Sequence, residues 1–222
     1  MQINNDFSRV VVVNTSELTW QQSTTSGVML RMLEQGGLAD ARTTSIVRFE
    51  SGAHLPSASH EYGEEVIVLE GMFSDESGEY TAGTYIKSPP GTNRILLSES
   101  GCTLFVKRGH LQQDDLERVV VDVQNSEWRQ GMVGGLSVLP LSEFKGEHSA
   151  LVRWQPGTMF NSHRHWGGEE IYVLEGVFED EFGRYPAGTW LRNPHMSQHA
   201  PFSREGCIIF VKVGHLPDIS AC

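Results

Sequence analysis

Three side chains that commonly bind metal ions are grouped in the stretch "GTMFNSHRHWGGEE", residues 157–170. His163 and His165 supply two imidazoles, and Glu169 supplies a carboxylate four residues later. All three positions have odd numbers, so an uninterrupted β-strand, whose side chains alternate between two faces, would point them to the same side. Two imidazoles and a carboxylate that converge are typical ligands of a first-row transition metal. The stretch predicts a metal site whose fourth ligand comes from another strand.

A similar stretch, "GAHLPSASHEYGEE", occurs at residues 52–65, because the chain is a tandem repeat. Gly52 and Gly157 are 105 positions apart, and the same shift aligns Cys102 with Cys207. No gap is needed between "EEVIVLEGMFSDESGEYTAGTYIKSP" and "EEIYVLEGVFEDEFGRYPAGTWLRNP". Upstream, "RVVVVNTSELTW" loosely matches "RVVVDVQNSEW". We therefore predict two domains, residues 1–112 and 113–222.

Both copies of the repeat have the features of β structure. Their short segments, such as "EVIVLEG" and "EIYVLEG", are rich in β-branched and aromatic residues and are separated by glycine or proline turns. The ambiguous segment at residues 26–37 is interpreted as a strand, because its counterpart at residues 130–141 has an extended pattern. The acidic residues of "FSDESGEY" and "FEDEFGRY" are interpreted as solvated turns. Regularly spaced short strands predict an all-β fold, either a sandwich or a barrel.

The composition argues against several classes of function. The 222 residues include 28 acidic and 17 basic side chains, a formal net charge of −11, which disfavours direct binding to nucleic acid. No apolar run suits a membrane helix and the first residues do not resemble a secretory signal, so we expect a cytoplasmic protein without membrane association. Cys102, Cys207 and Cys222 form no CxxC pair, and we expect two buried, inert thiols followed by an exposed one.

The spacing of glycine, histidine and glutamate around the predicted site resembles the first motif of the cupin superfamily. Gly157, His163, His165, Glu169 and Gly176 follow this motif without deviation. The segments "RHWGGEEIYVLEG" and "YPAGTW…NP…SxHxP…GC…FVK" are most similar to the ChrR-like cupins, and the similarity covers almost all of each repeat. The resemblance implies two tandem cupin domains, each a jelly roll or double-stranded β-helix.

The fourth ligand is displaced from its usual cupin position. Leu191 stands in "PAGTWLRN" where cupins usually have a histidine, which leaves His195 and His199 as candidates. Many cupins place a histidine directly after a proline-containing turn, where His199 lies, whereas His195 lies within the turn. The resemblance implies one divalent metal per chain, with zinc expected and iron, manganese or nickel as alternatives, bound by His163, His165, Glu169 and His199.

The first repeat lacks half of this ligand set. The corresponding positions are Ala58, His60, Glu64 and Arg94. Arg94 would put a permanent positive charge where a cation should bind. We expect Arg94 to pair with Glu64, and we expect a structural role for this domain rather than binding of a small anionic ligand. His54 ranks lower as a substitute ligand, because its counterpart is Met159.

Two classes of function are compatible with such a site. ChrR-like cupins form the C-terminal domain of zinc-dependent anti-sigma factors for extracytoplasmic-function sigma factors. The resemblance therefore implies a stress-response or sensing protein with a sigma factor as partner. Those anti-sigma factors also carry an N-terminal helical domain with a histidine and a CxxC zinc site, and residues 1–42 contain neither histidine nor cysteine. The alternative is a metal-dependent dioxygenase that acts on a small organic substrate, since cupin dioxygenases have a similar ligand set.

Coordination geometry separates the two classes. Four protein ligands complete a tetrahedral zinc site, whereas an octahedral iron, manganese or nickel site keeps two positions for substrate and dioxygen. Met159, Phe160, Trp166 and Trp190 are candidates for an apolar pocket wall, with core packing as the simpler alternative. The run "RVVVVN" at residues 9–14 is a candidate edge strand for pairing between subunits, and we predict a homodimer.

Overall fold

The computed structural model describes residues 2–36 and 42–218, and of residues 56–60 it describes the backbone alone. Nearly all regular structure in these ranges is β, and the 3₁₀ turn Thr15–Glu17 is the exception. The predicted thiol Cys222 lies outside the described residues. Within the described part of the chain, no helix has the length and apolar character that a membrane crossing requires.

The strands are numbered in chain order, and their pairings within sheets are antiparallel. The first half contains β1 (Val11–Asn14), β2 (Gln21–Gln22), β3 (Val28–Gln35), β4 (Thr43–Phe49), β5 (Ala53–His60), β6 (Glu64–Asp75), β7 (Gly78–Thr81), β8 (Thr84–Ser88), β9 (Thr92–Ser98) and β10 (Cys102–Arg108). The second half contains β11 (Val119–Asp122), β12 (Arg129–Gln130), β13 (Leu136–Phe144), β14 (Glu147–Trp154), β15 (Thr158–Met159), β16 (His163–Arg164), β17 (Glu169–Asp180), β18 (Gly183–Pro186), β19 (Thr189–Asn193), β20 (Gln198–His199), β21 (Phe202–Ser203) and β22 (Cys207–Val213).

Two compact units form, and they differ from the predicted domains in one respect. The first unit comprises Met1–Asn5 and Leu18–Asn125, and the second comprises Asp6–Glu17 and Ser126–Cys222. Strand β1 pairs with β19 in the second unit, and its repeat counterpart β11 pairs with β8 in the first. The division after residue 112 thus describes the sequence repeat but not the packing. Similarity between repeats locates equivalent strands, but it does not specify the unit in which each strand packs.

Each unit is a two-layered jelly roll with the same strand order. In the second unit, the main sheet runs β1-β19-β17-β22-β14-β13-β12, and β18 and β21 pair with the far half of β17. In the first unit, the main sheet runs β11-β8-β6-β10-β4-β3-β2, and β7 and β9 pair with the far half of β6. The tandem jelly-roll prediction is therefore confirmed. The ambiguous segment at residues 26–37 contains strand β3, as expected.

The long strand β17 passes from one layer to the other at Gly176. Its register with β22 shifts between Val173 and Glu175, and Gly176 has a φ angle of 68°. A Cβ atom on Gly176 would lie 2.1 Å from the carbonyl oxygen of Gly206, so a side chain would not fit without a shift of the backbone. The repeated "VLEG" segment therefore marks the bend that joins the two layers.

Equivalent apolar side chains fill the space between the layers of each unit. In the second unit this core includes Trp154, Ile171, Val173, Phe178 and Ile209. The first unit has Phe49, Val66, Val68, Phe73 and Leu104 at the corresponding positions. Cys102 and Cys207 are buried beside these clusters as free thiols. Burial raises the pKa of Cys207 to about 11, so this thiol stays protonated and unreactive near neutral pH.

Candidate metal centre

The four predicted ligands of the second unit come together in the structure. His163, His165, Glu169 and His199 each offer one ligand atom, and these atoms all lie within 4.8 Å of one another. The three imidazole rings have centroid separations of 4.6, 4.9 and 5.1 Å. The Nε2 atoms of His165 and His199 each lie 3.5 Å from Oε2 of Glu169. All four side chains can therefore reach one central ion.

The ligands do not lie on one continuous strand, so that part of the sequence interpretation is wrong. Strand β16 ends at Arg164, a turn occupies residues 165–168, and β17 begins at Glu169. Gly168 in this turn has a φ angle of 67°, and a Cβ atom there would lie 2.5 Å from Cδ1 of Leu216. His163 faces His199 in the β16–β20 pair. The ligands converge through a tight turn and a cross-strand pair rather than through strand alternation.

Hydrogen bonds on the outer side of the cluster orient three of the ligands. Nδ1 of His163 lies 2.9 Å from the carbonyl oxygen of Asn161, and Nδ1 of His199 lies 3.2 Å from Oδ2 of Asp180. Because both partners are acceptors, each Nδ1 carries the proton and each Nε2 keeps its lone pair for a metal. The Asn193 side-chain amide donates to Oε2 of Glu169 at 3.0 Å.

Two buried nitrogen atoms at the centre of the cluster fit a metal ion. Nε2 of His165 and Nε2 of His199 are both buried and have no hydrogen-bond partner in the described structure. A buried polar atom without a partner costs about 1–3 kcal/mol, and a bound cation would satisfy both atoms at once. The donor set of three imidazoles and one carboxylate therefore suits a divalent transition metal.

The surroundings of the histidines set their protonation. Burial, with His199 and His163 nearby, lowers the pKa of His165 to about 3, and burial also lowers the pKa of His163. Burial disfavours the charged form of His199 as well, but its hydrogen bond to Asp180 and the charges of Glu169 and Asp180 outweigh burial and raise its pKa. His163 and His165 are therefore ready to bind a metal at neutral pH, whereas a metal must compete with a proton at His199.

The side chain of Asp180 supports the cluster, and its interpretation as part of a solvated turn is wrong. Asp180 is 7% exposed, and besides its contact with His199 it accepts a hydrogen bond of 2.9 Å from the Tyr185 hydroxyl. In the first unit, the equivalent Asp75 accepts the same 2.9 Å bond from Tyr80. This aspartate–tyrosine pair occurs at the same spacing in both repeats, and it is the feature of the sequence that could have indicated a buried aspartate.

Replacing Asp180 by asparagine is expected to weaken metal binding by about 10–100-fold, because His199 loses the carboxylate that orients it and increases its basicity. The dissociation constant can be measured by competition between the protein and a chromophoric zinc chelator. Asp75→Asn makes the same change at the equivalent position of the first unit and should leave zinc affinity unchanged. Equal effects of the two substitutions would contradict the assignment.

An apolar cavity of about 180 Å³ adjoins the cluster, and His163, Glu169 and His199 form part of its wall. Of the four side chains predicted to line such a pocket, Phe160 does so. Trp190 is instead fully buried, with its Nε1 atom 3.3 Å from Glu170. The other two predicted wall residues are exposed, at 73% for Met159 and 74% for Trp166. The rejected candidate ligand His195 accepts a hydrogen bond from the backbone of Gly167.

An arginine occupies the equivalent position in the first unit. Arg94 faces Ala58 in the β5–β9 pair, in the same way that His199 faces His163. The Arg94 guanidinium pairs with Glu64, as expected from the sequence, and also with Asp75 at 3.3 Å. Because Glu64 and Asp75 already pair with Arg94, its positive charge is not available to bind a small anion. This favours a structural role for the unit.

The remaining candidates of the first unit are Glu64, His54 and His60. Glu64 accepts a second hydrogen bond, 3.1 Å long, from Nε of Arg108. The His54 side chain is exposed, and the side chain of His60 lies outside the described residues.

Comparison with known proteins identifies the family. A family model described as the ChrR cupin-like domain matches the chain twice, over residues 8–112 and 116–217. The chain belongs to the ChrR cupin-like family. A search of curated protein sequences finds no significant match.

Several solved structures share the fold of this ChrR-like tandem cupin. A candidate dioxygenase from Nostoc punctiforme is 14% identical, with a TM-score of 0.79 over 96% of this chain and 85% of that chain. A candidate glyoxylate-induced protein from Pseudomonas aeruginosa is 16% identical, with a TM-score of 0.75 over 95% and 91%. An oxalate decarboxylase from Bacillus subtilis with Mn(II) centres is 14% identical, with a TM-score of 0.64 over 94% and 78%. At these identities the likeness shows the fold alone.

Proposed function

We propose that the second unit binds one divalent transition metal and acts as a metal-dependent dioxygenase on a small organic molecule. The ligands in this proposal are His163, His165, Glu169 and His199. The open side of the cluster supports this function most directly, because three of the four ligands border the apolar cavity. A metal held here would face a space that can accept substrate, whereas a structural zinc site has its coordination closed by protein.

The names of two proteins with the same fold support metal chemistry of this kind. Their names describe a candidate dioxygenase in one case and a decarboxylase with Mn(II) centres in another. The cluster of three histidines and a glutamate and the cupin relatives together indicate a divalent metal. The open coordination side favours iron, manganese or nickel over the zinc that the sequence suggested, because octahedral ions keep free positions with four protein ligands.

Each side chain of the centre has a defined task in this proposal. The metal would supply Lewis acidity and a template that brings substrate and dioxygen together. Asp180 fixes the ring of His199 and holds the proton on Nδ1, so that Nε2 remains the ligand atom. Asn193 holds the Glu169 carboxylate in place. The apolar cavity wall excludes water from the bound substrate.

Family membership favours a second candidate, a sensing role of the ChrR type. In that case loss or exchange of the metal, rather than turnover, would carry the signal. Binding of a sigma factor stays a prediction, as does the homodimer. The predicted edge strand β1 pairs with β19 and is the outer strand of its sheet.

Nitric oxide binding to the iron-loaded protein distinguishes the two candidates. Protein loaded anaerobically with Fe(II) should bind nitric oxide, a dioxygen surrogate, and give the electron paramagnetic resonance signal of a high-spin iron nitrosyl. The signal should be absent after the same treatment of the His165→Ala variant. Stoichiometric Fe(II) binding without a nitrosyl signal would contradict the dioxygenase proposal and favour a closed sensing site.

Metal affinity is expected to fall as the pH decreases. A metal binds neutral imidazole and ionised carboxylate, and the pKa values of His199 and of the buried Glu169 are both raised, so protons compete first at these two ligands. Below these pKa values, affinity should drop by at least about tenfold per pH unit, with His163 and His165 contributing only in stronger acid because their pKa values are lowered. Calorimetric titration with zinc in two buffers of different ionisation enthalpy measures the released proton. An affinity that does not change with pH would contradict this ligand set.

A further inference from the structure

We propose that the cavity beside the metal centre binds a small molecule with an uncharged, apolar body and one oxygen donor that lies at the metal. The position of the oxygen donor rests on the proposed metal function. The apolar body of the ligand is inferred without the metal, because protein side chains alone form that part of the cavity. The proposal thus names the class of substrate for the dioxygenase.

The composition of the cavity wall indicates that the ligand has an apolar body. Apart from three metal-ligand side chains, the described residues that border the cavity are aliphatic or aromatic. Among them Trp154 has a buried Nε1–H without a hydrogen-bond partner in the described structure. Four β-branched side chains, from strands β13, β14 and β22, form one side: Val138, Val152, Ile209 and Val211. Leu136, Trp154, Phe160, Phe178, Pro201 and Met132 complete the wall. The three ligand side chains are thus the main polar patch of the wall, and the oxygen donor of the bound molecule can lie there.

The size of the cavity sets the scale of the ligand. Its volume is about 180 Å³. An engineered apolar cavity of about 150 Å³ in another protein stays dry and binds benzene. A molecule with one six-membered ring and one substituent therefore fits the space.

The charge of the wall disfavours a carboxylate in the body of the cavity. Among the described residues that line this cavity there is no lysine or arginine. An ionised carboxylate that enters an apolar site without a cationic partner loses its hydration at a large cost in free energy. The apolar wall therefore offers no partner for a carboxylate that lies away from the metal centre. The part of the ligand that fills the cavity is expected to be uncharged.

Binding of two probes of the same shape tests the cavity and the metal separately. Cyclohexanone carries a carbonyl oxygen, and methylenecyclohexane replaces this oxygen with a CH₂ group. Methyl NMR titrations of metal-free and zinc-loaded protein should show that both probes shift the signals of Val138, Val152 and Val211. Loading with manganese, an octahedral ion that keeps free positions beside four protein ligands, should strengthen cyclohexanone binding several-fold in a calorimetric titration and leave methylenecyclohexane binding unchanged. Oxalate should not shift these methyl signals in the metal-free protein.

A substitution that fills the cavity localises the bound probe. Val138→Phe is expected to weaken binding of both probes at least tenfold while the zinc content stays at one ion per chain. Leu30 is the repeat counterpart of Val138, because Leu30 pairs with Val47 as Val138 pairs with Val152. The control Leu30→Phe adds the same ring in the first unit and should leave binding unchanged. If Val138→Phe does not fold, Val152→Phe fills the same cavity from the neighbouring strand.

The outcomes separate this inference from the proposed function. Absence of methyl shifts with both probes, in metal-free and zinc-loaded protein, would overturn the apolar site whether or not the metal binds. Equal probe affinity in wild type and the filled variant would overturn it as well, because the probes would then bind elsewhere. Hydrocarbon binding in a protein that takes up no metal would support the cavity and contradict the metal function.

Discussion

Replacing His165 by alanine is expected to reduce the bound metal from one ion per chain to almost none. His165 is 7% exposed, and its Nε2 atom is buried at the centre of the cluster with no hydrogen-bond partner among the described residues. Loss of a direct ligand should cost more than loss of an orienting partner, so affinity should fall by more than about a hundredfold. Plasma mass spectrometry of protein purified without chelator or histidine tag measures the metal content.

The free energy of unfolding of His165→Ala provides a second test of metal binding. A metal present at about 100 times its dissociation constant stabilises the folded protein by about 2.7 kcal/mol, and His165→Ala should lose this metal-dependent gain. The matched control is His54→Ala, which removes an exposed histidine from the first unit and should keep both metal and stabilisation. Full metal content in His165→Ala, or equal losses in both variants, would contradict the proposed centre.

Replacing Arg94 by methionine is expected to lower the free energy of unfolding by about 3–5 kcal/mol, because it removes the buried cation and leaves Glu64 and Asp75 with partly exposed arginines as partners. The side chains of Arg94 and Glu64 are 4% and 1% exposed, and Asp75 is also buried. The change should be measured by urea denaturation, with the metal content of the second unit monitored in parallel and expected to stay constant.

Arg108→Met is the matched control for this prediction. Arg108 also pairs with Glu64, but its side chain is 37% exposed, so its removal should cost less than about 1 kcal/mol. A larger loss for Arg108→Met than for Arg94→Met would show that the buried guanidinium does not hold the first unit together.

The candidate ligands could be named from the sequence because the spacing of the motif encodes a local turn. The inference from strand alternation gave the right residues for an incorrect reason, since the turn at residues 165–168 interrupts the strand. His199 required knowledge of related proteins, because its distance along the chain from His163 contains no geometric signal. The structure supplies that signal as a cross-strand pair.

Features that depend on packing could not be read from the sequence. Asp180 lies among acidic residues that are typical of a solvated turn, and its burial follows from contacts with Tyr185 and His199. The sequence does not show that β1 packs in the second unit and β11 in the first, because the two segments are similar to each other. The apolar cavity depends on how the side chains of β13, β14 and β22 fill space, which residue types alone do not determine.

Anomalous X-ray diffraction at the absorption edge of the bound metal tests the central claim most directly. We expect one peak per chain, within about 2.0–2.2 Å of the Nε2 atoms of the three histidines and a carboxylate oxygen of Glu169. The equivalent position beside Arg94 in the first unit should show no peak. A crystal of metal-saturated protein with no peak at His163, His165, Glu169 and His199, or with its peak elsewhere, would contradict the account.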